Sequence, residues 1–132
     1  MKLTLISTIF ILSIYACQET RFHEGKRLYL AYCANCHMDD GEGLAKLYPP
    51  LKEADYLSNN LNKLPEIIKY GISDSLIVNG IQYTIPMSGL EELNMVQISN
   101  IYNYILSVWY PNQKPLNFEE IENKILNFRN YD

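Results

Sequence analysis

A chain of 132 residues holds one domain with a small core. Its formal net charge of −4 argues against a nucleic-acid partner, because phosphate contacts need Lys and Arg. Net charge does not define a docking face, since a local basic rim still steers an acidic partner.

The first segment reads as a targeting signal. Lys2 supplies a positive start, and Leu3 to Ile14 is an apolar run broken only by Thr4, Ser7, Thr8 and Ser13. That length suits a signal peptide and is short for a membrane span. The run ends in Ile14-Tyr15-Ala16-Cys17, which resembles the lipobox of bacterial lipoproteins. The resemblance implies cleavage before Cys17 and acylation of its sulfur and new amino group, with several acyl chains making a stable anchor. The alternative is an ordinary secretory peptide cut nearby, with Cys17 left as a free thiol. On the lipoprotein reading, residues 1–16 are signal peptide and 17–23 a lipidated tether.

Helical spacing begins near Phe22, with Gly25, Leu28, Tyr29 and Tyr32 on the repeat. A helix-interior glycine costs about 1 kcal/mol against alanine, so Gly25 marks either a close backbone neighbour or an accident of sequence. His23 is either a solvated residue at the helix start or an alternative ligand. The helix leads into Cys33-Ala34-Asn35-Cys36-His37, the attachment pattern for a c-type haem. Residues three apart on a helical turn face the same way, so both thiols can add to the vinyl groups of one porphyrin. The adjacent His37 is then carried under the ring to ligate iron. Structural zinc would need a second pair of ligands. The only other Cys and His are Cys17 and His23. A thioredoxin-like site would sit in alternating strands and helices, a pattern not found here.

Met38 to Gly43, with two glycines and three acidic residues, reads as a solvated loop along the haem edge. No phosphate-binding frame surrounds it, and calcium-loop spacing is absent. Tyr48-Pro49-Pro50-Leu51 fixes an extended turn. Asp55 to Leu61 reads as a short helix. Asn62 to Tyr70 reads as a better one, with Asn62 as cap, Pro65 in the first turn, Leu64, Ile67 and Ile68 on one face, and Gly71 as terminator. Gly71 to Met87 is loop with short extended pieces and a candidate hairpin at Asn79-Gly80. Met87, in a proline-bearing loop far downstream of the cysteines, is placed to supply a thioether ligand to iron. Core gap-filling is the alternative use of such a methionine. Met95 opens a core helix, where residues point at packing partners. Asn94 and Gln97 form a capping box for that helix, which carries Ile98, Ile101, Tyr102, Ile105 and Trp109 and ends at Pro111. Asn117 and Glu120 cap a last amphipathic helix with Phe118, Ile121, Ile125 and Phe128 on one face, packing on the domain or on a partner.

From about Glu24 to Tyr110 the chain resembles the class I c-type cytochromes. Gly25 and Tyr29 stand where that family packs a glycine and an aromatic against its last helix, with Ile101 and Tyr104 at the receiving positions. The resemblance implies an all-α cytochrome c fold, three to five helices around one covalent haem, over residues 24–110. Residues 111–132 form an extension with the tail helix. It implies that Pro49, twelve residues after His37, offers its carbonyl to the second ring nitrogen of the histidine, Pro50 being the adjacent candidate. Ile77-Val78-Asn79-Gly80…Tyr83…Met87 resembles the distal loop of a bacterial subgroup in which the methionine four after the tyrosine is axial. The implied cofactor is haem c with iron. The implied activity is one-electron transfer between redox proteins, not enzymatic turnover. Export also follows, because haem is attached outside the bacterial cytoplasm, and the anchor would hold the protein at the periplasmic face of a membrane. Two rival functions are a dedicated haem subunit of a larger dehydrogenase, reductase or oxidase, and a gas-sensing or peroxidase-like haem protein.

Overall fold

A computed structural model describes residues 23–128, except the side chain of Phe128. Cys17, the signal segment and the start of the tether lie outside the described residues. The elements are helix α1 over residues 23–32, then α2 (Ala34–His37), α3 (Asp55–Asn59), a 3₁₀ turn (Leu61–Lys63) and α4 (Leu64–Tyr70). Four short strands follow: β1 (Gly71–Ile72), β2 (Leu76–Val78), β3 (Ile81–Tyr83) and β4 (Met87–Ser88). Helices α5 (Met95–Trp109) and α6 (Phe118–Phe128) complete the chain. The architecture is the expected all-α one, with two small antiparallel ladders, β2–β3 and β1–β4.

The close neighbour of Gly25 is α5. A Cβ on Gly25 would collide with the Asn100 carbonyl oxygen and stand 2.7 Å from Tyr104 Cβ. Tyr104 is thus the receiving residue in contact, while Ile101 is fully buried beside it. One turn along α1, Tyr29 is also fully buried. Its ring lies 5.5 Å from that of Tyr104 and 5.3 Å from that of Trp109, in tilted and edge-on contacts. The crossing therefore fixes the angle at which α1 delivers the cysteines.

Helix α5 begins as its capping box predicts. Asn94 Oδ1 accepts from Gln97 N at 3.0 Å, and Gln97 Oε1 accepts from Asn94 N at 3.0 Å. Helix α6 repeats the device with Asn117 and Glu120, at 2.7 and 2.9 Å. Helix α4 does not begin as expected. Asn62 caps nothing; it lies within the 3₁₀ turn, and α4 starts behind Lys63 with no side-chain cap. The backbone supplies the bond instead, Lys63 N donating to Asn60 O at 2.8 Å. Gly71 ends α4 as expected, at φ +79°.

The tail helix packs on the domain. It contacts both α4 and α5, and Ile121 and Ile125 are fully buried. Phe118, expected on that face, is 44% exposed. Leu116 packs against the core ahead of it. Asn103 of α5 holds the Leu116 backbone through both its N–H and its carbonyl, at 3.1 and 2.9 Å, which fixes the approach of α6.

Two substitutions test these contacts by chemical denaturation of the haem-loaded protein. Gly25→Ala should cost about 2–3 kcal/mol, because the neighbouring backbone must move. Ile121→Ala should cost about 2–4 kcal/mol through the cavity it leaves.

Candidate haem site

Helix α1 continues into α2 with only a brief turn at Cys33: Cys33 N donates to Tyr29 O at 2.8 Å and His37 N to Cys33 O at 2.9 Å. The helix stops at Met38, whose φ of 61° turns the chain away. Gly43 N returns to His37 O at 3.0 Å, and Leu51 N reaches Gly41 O at 2.8 Å. The loop so closed brings Pro49 back under His37. Gly43 makes this possible: its φ is +73°, and a Cβ there would stand 2.7 Å from the Pro49 carbonyl oxygen.

His37 Nδ1 lies 2.9 Å from Pro49 O. A carbonyl only accepts, so Nδ1 carries the proton. The ring is therefore fixed as the tautomer whose Nε2 is a free lone pair. Burial pushes the His37 pKa below its ordinary value, opposed by the bond to Pro49, and this favours the neutral imidazole a metal needs. The Pro50 carbonyl does not take this role. Burial, with Cys36 adding to it, pushes the Cys33 thiol up to about 12, so it stays protonated at neutral pH. Cys33 and Cys36 are not joined to each other in a disulfide.

These groups face a cavity of about 460 Å³, a size suited to burying a small organic cofactor. Cys33, Cys36, His37, Pro49, Tyr83 and Met87, the residues singled out from the sequence, all line it. Among the described methionines only Met87 does so; Met95 packs against the core. His23 is exposed at the start of α1 and outside the lining. Among the described residues, no group of three or more His, Cys, Asp or Glu side chains is disposed to hold a metal ion.

Sequence reading missed much of the wall. Leu64, Ile67 and Ile68 of α4 and Ile105 of α5 line the cavity. Their helical spacing shows an apolar face without saying that a cofactor covers it. The β2–β3 hairpin contributes Val78 and Tyr83, both buried. It is locked to α3 at its Asn79-Gly80 turn, where both residues have positive φ. Asn79 Oδ1 accepts from Asp55 N at 3.0 Å, Asn79 N donates to Asp55 Oδ1 at 2.7 Å, and Asn79 Nδ2 donates to Glu53 O at 3.1 Å. The Asn-Gly dipeptide signals the turn but not these partners. Beside the proline turn, Tyr110 Oη donates to Leu51 O at 2.6 Å.

Two thiols at helical spacing, a neutral imidazole with one nitrogen engaged and a thioether thus line one apolar cavity. The cytochrome c family model matches residues 22–109. The chain belongs to the cytochrome c family. Among its relatives is a cytochrome c-552 of Thermus thermophilus, 28% identical over 125 residues that cover 90% of this chain and 80% of the relative. A second cytochrome c-552 from the same species is 29% identical over 102 residues, covering 73% and 76%. The cytochrome c subunit of a quinone-type alcohol dehydrogenase from Gluconacetobacter polyoxogenes is 30% identical over 89 residues, 64% of this chain but 18% of that protein. The protein is a haem c electron carrier, and the cavity fits that cofactor.

Asn79→Ala removes the two side-chain hydrogen bonds that tie the hairpin to Asp55 N and to Glu53 O at the entry to α3, and keeps the one donated by the Asn79 backbone. It should lower the stability of the haem-loaded protein by about 1–3 kcal/mol, read as a shift in its denaturation midpoint.

Proposed function

We propose that Cys33 and Cys36 form the two thioether links to the haem, and that His37 and Met87 are the axial ligands of its iron. The observation that carries this reading is the convergence of all four side chains on one cavity, with His37 already oriented by Pro49. When bound, haem supplies reversible one-electron exchange at iron. Pro49 holds the imidazole in one tautomer and strengthens it as a ligand. Met87, paired with His37, raises the potential. The apolar wall from α4, α5 and the hairpin keeps water from the ring and disfavours extra charge there. Tyr32, Ile85 and Pro86 stand exposed at the rim of the cavity, where a redox partner approaches. Such contacts are small and transient.

The proposal extends to the first segment. Residues 1–16 direct export, Cys17 is acylated, and the domain works at the periplasmic face of a bacterial membrane. The motif at Ile14-Tyr15-Ala16-Cys17 supports this, as does the need to load haem outside the cytoplasm. The partners are other redox proteins. A second reading, in which the domain serves as the haem subunit of a larger oxidoreductase, is favoured by the likeness to a dehydrogenase cytochrome subunit.

Expression in a host that matures c-type cytochromes tests the ligands. The ferric protein should show the Fe–S(Met) absorption band, and Met87→Ala should abolish it and admit carbon monoxide to the ferrous form. Cys33→Ala with Cys36→Ala should leave no haem attached to the chain under denaturing conditions. An unchanged spectrum in Met87→Ala would refute the ligand assignment. Cys17→Ser should move the protein from the membrane to the soluble fraction.

A further inference from the structure

Met87 sits on a strand of two residues, too short to hold itself in place. What fixes it is the end of α4. Met87 pairs with Ile72 and Ser88 with Gly71 in the β1–β4 ladder. Leu90 N donates to Ile68 O at 3.0 Å. Gly89 lies against the α4 backbone, where a Cβ would stand 2.6 Å from the Tyr70 carbonyl carbon.

Lys69, in the last turn of α4, adds the charged contact. Its ammonium donates to the carbonyl oxygens of Glu91 and of Leu93, the latter at 2.9 Å. Both carbonyls belong to the turn that follows Met87 and enters α5. That turn is closed by Leu93 N donating to Leu90 O at 3.0 Å, and the next N–H, of Asn94, is taken by Gln97. An ammonium with three donors satisfies both carbonyls at once, and charge assistance makes these bonds stronger than the neutral ones around them. Among the described residues the side-chain ion pairs are Arg27–Glu24 and Lys52–Glu42. Lys69 is therefore committed to backbone and not to a carboxylate.

We propose that Lys69 is a positioning residue that clamps the segment after Met87 to α4 and so holds the methionine sulfur at the iron. The inference rests on the assignment of Met87 as an iron ligand. The attachment side, built from α1, α2 and the proline turn, does not depend on this clamp. Losing it should raise the fraction of molecules whose sixth site is open without releasing haem. The apparent affinity of an external ligand scales with that fraction.

The test titrates imidazole into ferric haem-loaded protein while following the Fe–S(Met) band. Lys69→Met should bind imidazole about tenfold more tightly than wild type, with the haem still covalently attached, as expected for losing a charge-assisted bond. Lys69→Arg, which keeps charged donors, should recover at least part of the difference. Lys69→Gln replaces Lys69→Met in the comparison if the latter yields too little holoprotein. Asn103→Ala, which loosens the approach to α6, controls for general destabilisation and should leave imidazole affinity near wild type. Wild-type affinity in Lys69→Met and Lys69→Gln, or an equal gain in Asn103→Ala, overturns the role of Lys69. If wild type shows no Fe–S(Met) band, or Met87→Ala retains it, the ligand assignment falls and this inference falls with it. Loss of the band in Met87→Ala alongside unchanged Lys69 variants sinks the clamp alone.

Discussion

The bond from His37 to the Pro49 carbonyl is the constraint around which the attachment side is built. An unpaired N–H in a buried imidazole would be costly, and an untethered ring could present either nitrogen. One backbone carbonyl removes both problems. To bring that carbonyl to within 2.9 Å, the chain must stop a helix at Met38, double back over Gly41 and Gly43, and enter a rigid proline turn. Tyr29 Oη donates to Met38 O at 2.7 Å, so the same tyrosine that packs α1 on α5 also fixes the point where the loop departs. Helix crossing, loop closure and imidazole orientation are thus one connected arrangement.

What could be read in the sequence was local, and what could not was mostly long-range. Cys33, Cys36 and His37 are legible because their spacing is itself the geometry of a helical turn. The Asn94/Gln97 and Asn117/Glu120 boxes are legible because a cap and its partner lie three residues apart. Asn62 misled for the same reason: the local pattern allows a cap, but a 3₁₀ turn running in from Asn60 already serves the helix start. Phe118 misled because periodicity gives a face and not its extent; Leu116 packs against the core and leaves the phenylalanine at the helix end exposed. The pairing of β1 with β4 was invisible, since two-residue strands have no period to detect. Pro49 was found through family likeness, because nothing in a proline turn by itself says which carbonyl a distant histidine will use.

The two sides of the cavity are held by different kinds of force. On one side, the attachment residues sit at the end of a helix anchored by a fully buried tyrosine and by a glycine with no space to spare. On the other, Met87 rides on a short strand that relies on α4, and α4 is seven residues long. A helix of that length is not stable by itself. It is held by its apolar face on the cavity side and by α5 and α6, both of which pack against it. The tail helix lies beyond the family match at residues 22–109, yet it contacts the element that carries the methionine strand.

This asymmetry bears on electron transfer. A carrier changes oxidation state with little rearrangement when its donors cannot move, and a thioether is a weak, neutral donor that a small displacement would detach. The imidazole is fixed by a direct hydrogen bond within the site. The thioether has no such bond, so its position must come from the backbone that bears it. Satisfying that backbone is the shared effect of Gly71, Gly89, the Leu90–Ile68 bond and the Lys69 ammonium. Neither glycine lines the cavity, and nor does Lys69. The rigidity of the proposed thioether ligand is therefore a property of the α4 C-terminus, and a change that loosens that end of α4 should be felt first at the methionine and last at the cysteines.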